Sequence, residues 1–296
     1  MTYITRRALV CGLAGAALLP PRQSHAAAFD QPLWIQVHAI RRALMQDFDG
    51  TLRTLRSTGF VGIEMASFPG FRGSYRGDFG ALADADPAQL ADRIAASGLK
   101  CDAAAFMAEQ FDHDPSASAA IAYAHSLRVR SVVLTGVTEP NSVADCDQLA
   151  HQLIGISDRL RAEGLRLGMH TDQNLWKSID GKPVVVQLLD RLRPEQLALE
   201  MDMGGLVPYH VDPVPILDRY PGRFYWIHLR DGRVQANPRT YAPAVVPGEG
   251  VIAWRPLLRA ARRARVHEYV VEMETHSGHE LDDSLRAYRA LRSIDV

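Results

Sequence analysis

Residues 149–172, LAHQLIGISDRLRAEGLRLGMHTD, contain one complete helix-to-strand unit, and this unit decides the fold. Its apolar residues recur at the 3.6-residue period of a helix with one buried face, and they are Leu149, Leu153, Ile156 and Leu160. Gly164 follows this stripe, at the position where glycine commonly ends a helix. The next residues are mainly apolar and then become polar, which indicates a buried strand over Arg166–His170.

The same unit recurs along the chain. Two further predicted helices end at Gly59 and Gly98, and a strand follows each of them. Eight strands are predicted: Trp34–His38, Gly62–Met65, Lys100–Ala105, Ser131–Leu134, Arg166–His170, Leu197–Asp202, Phe224–Leu229 and Tyr269–Glu272. Eight strand–helix units without a linker between them predict a single (β/α)8 TIM barrel, an α/β fold. A doubly wound parallel sheet is the alternative, but no G-x-G-x-x-G motif follows a strand.

The composition is that of a globular domain without a nucleic-acid partner. The 296 residues are 47% hydrophobic and 23% charged, and one α/β barrel can reach this length. Without residues 1–28 the chain has 30 basic and 34 acidic residues, and it has no run of Lys or Arg. This mildly acidic balance disfavours binding to a phosphate backbone. Three cysteines are too few for a disulfide framework, and pairing of Cys101 with Cys146 is left open.

The first 28 residues have the pattern of an export signal. Arg6-Arg7 precedes a 12-residue apolar run, Ala8–Leu19, and the small residues Ala26-Ala27-Ala28 follow. The run is too short to span a bilayer, and the paired arginines are typical of twin-arginine signals. We therefore predict cleavage after residue 28, a periplasmic or secreted barrel over residues 29–296, and no membrane contact after cleavage. An uncleaved N-terminal anchor is the alternative.

Polar residues gather at the carboxyl ends of the predicted strands, where barrel active sites lie. They are Gln36, His38, Glu64, His170, Glu200, Asp202, His228, Arg230, Glu272 and Glu274. An ionised carboxylate inside a barrel is costly unless it is paired or bound to a metal. One explanation is a cation held by Asp202, His228 and Glu272, and such ligands suit Mn²⁺, Mg²⁺ or Co²⁺, with Zn²⁺ left open. The other is pairing of each carboxylate with one of the thirty arginines.

A series of motifs spans essentially the whole chain after residue 28. They are Gln36–Arg41, Asp47–Leu52, Gly59–Glu64, Gly164–His170, Met201–Asp202, Asp212–Val214, Tyr220–Phe224, Ile227–Asp231, Pro247–Ile252 and Val271–Glu272. Their order resembles exported sugar phosphate isomerase/epimerase-like proteins of the xylose isomerase-like TIM-barrel superfamily. The resemblance implies a divalent cation on Asp202, His228 and Glu272. It also implies proton transfer next to a sugar carbonyl, in an isomerisation, an epimerisation or an elimination.

The chain departs from this family pattern in ways that affect the mechanism. Leu175 falls at or near the position where relatives commonly carry a glutamate that serves as ligand and acid/base. Three other sites also differ: the end of the third strand, Ala253 and His38. A two-base epimerase needs acid/base groups on both faces of the substrate carbon. Here Asp172, His170 or Glu200 would have to replace the missing glutamate, whereas an elimination needs fewer such groups.

These considerations assign a role to each candidate residue. Catalytic roles are predicted for His170, Glu200 and Glu272. Substrate contacts are predicted for His38, Glu64, Arg230 and Glu249. Because the chain has three lysines and no Gly-rich phosphate loop, a sugar or keto-sugar without phosphate is the predicted ligand.

Two other function classes are weighed against a metal-dependent sugar isomerase, epimerase or lyase. A catalytically degenerate, metal-poor sugar-binding barrel or partner subunit would explain the missing glutamate, and metal content would distinguish it from an enzyme. A metal phosphodiesterase of the endonuclease IV type would need a richer His/Asp/Glu cluster and a basic groove, and the sequence shows neither. Assembly into a homo-oligomer is left open.

Overall fold

The structure is a computed structural model that describes residues 28–73, 78–234 and 243–296. Eight parallel strands close into a barrel: β1 Leu33–Gln36, β2 Gly62–Ala66, β3 Ala103–Met107, β4 Ser131–Thr135, β5 Arg166–His170, β6 Ala198–Asp202, β7 Phe224–Leu229 and β8 Glu268–Val271. Each strand pairs with its neighbours in sequence, and β1 also pairs with β8. The predicted (β/α)8 barrel is therefore confirmed, and the doubly wound alternative is wrong. The predicted export signal, except its last residue, lies outside the described residues.

Helices alternate with these strands, as the periodicity predicts. They are α1 Arg41–Gln46, α2 Phe48–Thr58, α3 Pro87–Ala96, α4 Asp114–Leu127, α5 Val143–Ala162, α6 Val184–Arg191, α7 Met203–Leu206, α8 Pro213–Arg219, α9 Trp254–Arg263 and α10 Glu280–Arg292. A short hairpin of Ser178–Ile179 with Lys182–Pro183 was not predicted, because two-residue strands carry no periodic pattern. In the part of the chain described here, no helix combines the length and apolar character that crossing a membrane requires.

Local chemistry explains where the helices begin and end. The Ser142 hydroxyl accepts a hydrogen bond from the Asp145 amide at 3.1 Å, which caps the first turn of α5. Gly59 and Gly164 have φ of 114° and 74°, a left-handed conformation that costs glycine little and lets each helix end before the next strand. The apolar stripe of α5 is buried, as its spacing predicts.

The barrel interior is apolar towards the amino ends of the strands and polar towards their carboxyl ends. The apolar part is filled by a cluster that is separate from the larger core, and its members are Trp34, Ala103, Val133, Ala198, Trp226 and Val270. Two residues further along several strands, the inward side chains become polar, because the strand repeat is two. In register there, Gln36 lies opposite Glu64, and His170 lies opposite Glu200. The fold thus brings polar residues from distant parts of the sequence into one ring.

The two cysteines that remain after residue 28 are separate thiols. Cys146 is buried and Cys101 is partly exposed, and the structure joins neither of them in a disulfide. Burial raises the pKa of the Cys101 thiol above its ordinary value, so this side chain stays protonated. The fold therefore depends on its core and not on a cross-link.

Candidate functional site

A cavity lies at the carboxyl ends of the strands. It is lined by Gln36, His38, Glu64, Phe71, Ala105, Thr135, His170, Glu200, His228 and Glu272. Most of these residues lie at or just beyond a strand end, because a barrel directs alternate side chains inward. The lining contains three carboxylates and three imidazoles but no lysine or arginine. The cavity is therefore rich in metal-ligating and proton-transferring groups.

His228 lies at the centre of the buried carboxylates. Its Nε2 is 3.0 Å from Glu64 Oε2 and 3.1 Å from Glu200 Oε1, and its Nδ1 is 3.0 Å from Glu272 Oε2. The His228 and Glu200 side chains are each only 1% exposed, so water screens these contacts little. One imidazole has two nitrogens and thus cannot satisfy three carboxylates completely.

His170 connects Glu200 to the strand-end acids on the other side. Its Nδ1 is 2.9 Å from Glu200 Oε2, and its Nε2 is 3.8 Å from both Asp172 and Asp202. The Asp172 carboxylate also accepts the Gly136 backbone N–H at 3.1 Å, which fixes its orientation. His170 and His228 have ring centroids 4.9 Å apart, so two imidazoles face the same small volume.

The environment separates the proton affinities of these groups. Burial raises the pKa of Glu64 well above its ordinary value, and the charge of Glu200 adds to this shift. Burial would also raise the pKa of Glu200, but His228 and His170 outweigh it and lower that pKa. Burial would lower the pKa of both imidazoles, but neighbouring carboxylates outweigh it: they raise the pKa of His170, and they raise that of His228 well above its ordinary value. For Glu272 burial is likewise outweighed, and the charge of His228 lowers its pKa.

We call Glu64, His170, Glu200 and His228 the histidine cluster. Two of its carboxylate oxygens, Glu64 Oε1 and Glu200 Oε1, are buried and make no hydrogen bond, although Glu200 Oε1 lies at ion-pair distance, 3.1 Å, from His228 Nε2. His170, Glu200 and His228 each present one ligand atom, and these atoms all lie within 4.8 Å of one another. A buried carboxylate oxygen without a hydrogen bond, such as Glu200 Oε1, is costly, and two imidazoles with a carboxylate are ligands that divalent transition metals favour. This donor set fits a bound divalent cation.

We call Arg230, Asp202, Glu272, Glu274 and His38 the arginine cluster. The Arg230 guanidinium binds both oxygens of Asp202, with its Nε 2.8 Å from Asp202 Oδ1. Its Nη1 is 2.8 Å from Glu274 Oε2, and its Nε is 3.8 Å from Glu272 Oε2. His38 Nδ1 is 2.7 Å from Glu274 Oε1. The buried acids are therefore neutralised in two ways. Imidazoles contact them in the histidine cluster, and a guanidinium supplies the positive charge in the arginine cluster.

The predicted ligand set of Asp202, His228 and Glu272 is divided between the two clusters. Among the described residues, two groups of three present ligand atoms within 4.8 Å of one another, and Asp202 belongs to neither. Its carboxylate is instead paired with Arg230, the alternative that the arginine count suggested. Leu175, at or near the position of the missing glutamate, is fully buried and offers no ligand. Metal binding at any of these residues stays a prediction.

The predicted substrate-contacting residues lie in three different environments. His38 and Glu64 line the cavity, whereas Arg230 lines a different, neighbouring pocket with Gly204 and Asp231. Glu249 is half exposed, pairs with Arg286 at 3.2 Å and does not line either cavity. The structure therefore does not bring Glu249 to the candidate site, and its substrate contact stays a prediction. Thr135 was not singled out from the sequence, because a lone threonine at a strand end gives no signal.

Asp231 has a role that the sequence did not indicate. Its carboxylate accepts the backbone N–H groups of Gly248, Gly250 and Ile252 at 2.9–3.1 Å and the indole N–H of Trp254 at 2.9 Å. Asp231 thereby holds the loop before α9 against the end of β7. In the sequence, the motifs Ile227–Asp231 and Pro247–Ile252 are separate segments, and nothing in either one predicts this contact.

Comparison with known proteins gives results at both the sequence and the structure level. The family model described as "Xylose isomerase-like TIM barrel" matches residues 52–294. An inosose dehydratase from Lacticaseibacillus casei is 23% identical over 160 residues, which are 49% of this chain and 53% of that protein. The chain thus spans about half or less of the length of the curated relatives that it matches.

Solved structures share the fold at low sequence identity. A sugar phosphate isomerase/epimerase from Parabacteroides distasonis aligns with a TM-score of 0.75 at 16% identity, over 91% of this chain and 98% of that one. The IOLI protein with a binding zinc atom aligns with a TM-score of 0.68 at 15% identity, over 88% and 96% of the two chains. At these identities the likeness establishes the barrel and leaves the activity to be argued from the site.

Proposed function

Because the chain belongs to the xylose isomerase-like TIM barrel family, we propose that it is a divalent-metal-dependent enzyme that moves a proton next to the carbonyl of a sugar or keto-sugar. The observation that carries this proposal is the buried group of His170, Glu200 and His228, whose ligand atoms all lie within 4.8 Å of one another. Sugar isomerases, epimerases and dehydratases occur in this family, and the dehydratase among the curated relatives supports the same chemistry.

In this proposal His170, Glu200 and His228 hold the cation. A mixture of imidazole nitrogen and carboxylate oxygen suits Mn²⁺, Co²⁺ or Zn²⁺ better than Mg²⁺, which prefers oxygen ligands. A cation bound there would act as a Lewis acid and polarise the carbonyl of the sugar. Glu272 supports this arrangement, because it contacts His228 Nδ1 and so directs the other imidazole nitrogen towards the cluster.

The same residues can move a proton. Glu272 lines the cavity, and its lowered pKa keeps it ionised near neutral pH, so it can accept a proton from the substrate carbon. Glu64 has a raised pKa because of its burial, so it keeps its proton and can donate it to a substrate oxygen. In this assignment the predicted acid/base roles of His170 and Glu200 give way to roles as ligands.

The position of the two carboxyl groups favours particular reactions. Glu64 is on β2 and Glu272 follows β8, and these two strands flank β1 in the barrel. The donor and the acceptor therefore lie on one side of the ring, whereas epimerisation needs groups on both faces of the carbon. This arrangement supports isomerisation or elimination of water, in which protons are taken and returned on one side.

The lining of the cavity also indicates the substrate class. No lysine or arginine lines it, and its uncharged polar groups are those of Gln36 and Thr135. A phosphate or carboxylate would meet three carboxylates there and no lysine or arginine. We therefore propose an uncharged polyhydroxylated ligand, and the predicted sugar or keto-sugar fits that description.

A sugar-binding barrel without catalysis is the second candidate. Two observations favour it: Leu175 offers no ligand, and Asp202 is already paired with Arg230. Such a protein would use the same cavity but would need no cation.

Metal content distinguishes these two candidates. The protein would be purified without chelator, soaked in Mn²⁺ or Zn²⁺ and analysed for metal, beside the variants Glu200→Gln, His228→Ala and Asp202→Asn. We expect about one metal per chain in the unmodified protein and in Asp202→Asn, and a loss in the other two variants. Absence of metal from the unmodified protein after soaking would favour the binding protein. A screen of inososes and keto-sugars for loss of water or isomerisation would then test the activity.

We further propose that the protein works outside the cytoplasm, as the pattern of its first 28 residues suggests. Cell fractionation of the unmodified protein and of a variant with Arg6→Lys and Arg7→Lys tests this. Export of the first and cytoplasmic retention of the second are expected. Equal distribution of both proteins would contradict export by the twin-arginine route.

A further inference from the structure

The positively charged guanidinium of Arg230 lies among three acidic side chains. It binds both oxygens of Asp202, contacts Glu274 at 2.8 Å and approaches Glu272 at 3.8 Å. Its side chain is only 10% exposed, so these charges interact with little screening by solvent. No oxygen of these three carboxylates is among the buried polar atoms that lack a hydrogen-bond partner in the described residues. One guanidinium thus neutralises much of this negative charge and donates hydrogen bonds to the carboxylate oxygens.

The backbone leaves space for this arginine. A Cβ atom on Gly204 would lie 2.3 Å from Arg230 Nε and 2.9 Å from its Cζ, so a larger residue could not stand there without moving the guanidinium. The Gly204 amide also donates a hydrogen bond to Asp202 Oδ1 at 2.9 Å. The turn after β6 therefore both orients Asp202 and admits the arginine that binds it.

A second group of metal-ligating side chains surrounds the same guanidinium. His38, Glu272 and Glu274 each present a ligand atom within 4.8 Å of the others, and Arg230 contacts the two glutamates. Imidazole nitrogen and carboxylate oxygen are again the ligand types that divalent transition metals accept. A dication and a guanidinium in direct contact would repel each other strongly at this burial, so the two cannot share these carboxylates.

We propose that the Arg230 guanidinium excludes divalent metal ions from the arginine cluster, because it already binds the carboxylates there. Arg230 thereby limits the protein to one divalent metal ion. Its removal would open a second cation site made of His38, Glu272 and Glu274. Arg230 is thus the residue that determines metal stoichiometry. This inference rests on the proposed function in one respect, namely the single cation held by the histidine cluster.

The test counts bound Mn²⁺ by equilibrium dialysis and elemental analysis. We expect about one ion per chain in the unmodified protein and about two in Arg230→Met. The double variant Arg230→Met/Glu274→Gln should return to about one, because it loses a ligand of the second site. Arg263→Met is the matched control, since Arg263 makes an exposed ion pair with Asp218 at 2.9 Å, and it should bind one ion. Free guanidinium ion should release the second Mn²⁺ of Arg230→Met and leave the first.

Each result has a defined meaning. If Arg230→Met binds the same number of ions as the unmodified protein, this inference is wrong and the proposed function stands. If the unmodified protein binds none and Arg230→Met binds one, the proposed metal of the histidine cluster is wrong, whereas the exclusion of a metal from the arginine cluster by Arg230 is supported. If Arg230→Met folds only with Mn²⁺, the dependence supports the inference, and Arg230→Gln provides the count. Failure of both variants to fold at any Mn²⁺ concentration would overturn it, because the second ion should replace the lost charge.

Discussion

The histidine cluster and the arginine cluster lie in the same ring but neutralise their acidic groups differently. In the histidine cluster, the carboxylates of Glu64 and Glu200 contact imidazoles, and one buried oxygen of each makes no hydrogen bond. In the arginine cluster, one guanidinium satisfies Asp202 and contacts Glu274. The comparison shows that buried acids alone do not identify a metal site. A buried group of imidazoles and carboxylates that no arginine neutralises is the more specific indication.

Glu272 joins the two clusters, and its substitution should have the largest effect. It contacts His228 on one side and approaches Arg230 on the other. Glu272→Gln removes the proposed base and should lower kcat by about 10²–10⁴-fold while metal content stays the same. Steady-state kinetics beside metal analysis checks this. Glu274→Gln, which leaves the proposed base in place, is the matched control, and an equal loss of kcat in both variants would contradict the assignment.

Removal of Arg230 should reduce stability strongly when no metal is present. Arg230→Met leaves Asp202 buried without its partner, and loss of one member of a buried pair typically costs about 3–5 kcal/mol. Urea unfolding in the presence of a chelator measures this free energy. Arg263→Met, which loses an exposed ion pair, should cost no more than about 1 kcal/mol. Similar losses in the two variants would mean that the arginine cluster is not the buried unit described above.

Gly204→Ala should be destabilising only while Arg230 is present. The added Cβ would overlap the guanidinium, and such overpacking typically costs about 1–3 kcal/mol. In the Arg230→Met background this overlap is absent, so the same substitution should cost much less. A double-mutant cycle measured by unfolding separates the two cases. Equal costs in both backgrounds would show that Gly204 is needed for another reason.

The affinity of the histidine cluster for metal should rise with pH. Neighbouring carboxylates raise the pKa of His170 and His228, and a metal binds only the unprotonated imidazole. Below the raised pKa of His228, each displaced proton should weaken binding by about tenfold per pH unit, and above it the dependence should disappear. Titration calorimetry with Zn²⁺ in buffers of different ionisation enthalpy counts the released protons. A pH-independent affinity from pH 6 to 8 would argue against ligation by these imidazoles.

Glu249 should have the smallest effect of the predicted site residues. It pairs with Arg286 at the surface and does not line the cavity. Glu249→Ala should change kcat/KM by less than about twofold and stability by less than about 0.5 kcal/mol. A larger loss of kcat/KM with unchanged stability would support the substrate contact that the sequence predicts.

The fold could be predicted because its determinants are local. The helical stripe of α5, the capping glycines and the short apolar strands each lie within one segment, and all eight strands appear within three residues of the predicted bounds. The gathering of polar residues at one end of the barrel followed from the same pattern. The hairpin at residues 178–183 was missed, since its strands are too short to show a period.

The partners within the site could not be predicted from spacing. Parity places Asp202, His228 and Arg230 inside the barrel, but it does not say whether Asp202 meets a metal or the arginine. That choice depends on the space over Gly204 and on the direction of one long side chain, which are three-dimensional properties. The contact of Glu64 with His228 likewise joins residues 164 positions apart. The sequence therefore indicated the members of the site but not their division into two clusters.

The most direct measurement is anomalous diffraction from a crystal of the protein soaked in Mn²⁺ or Zn²⁺. Data collected on both sides of the absorption edge of the metal place the ion without reference to activity. We predict one peak at coordination distance from His170, Glu200 and His228, with Arg230 still bound to Asp202. A peak bound by Asp202 and Glu272 with Arg230 displaced, or no peak at all, would contradict the division of the site into a metal-binding histidine cluster and a self-neutralised arginine cluster.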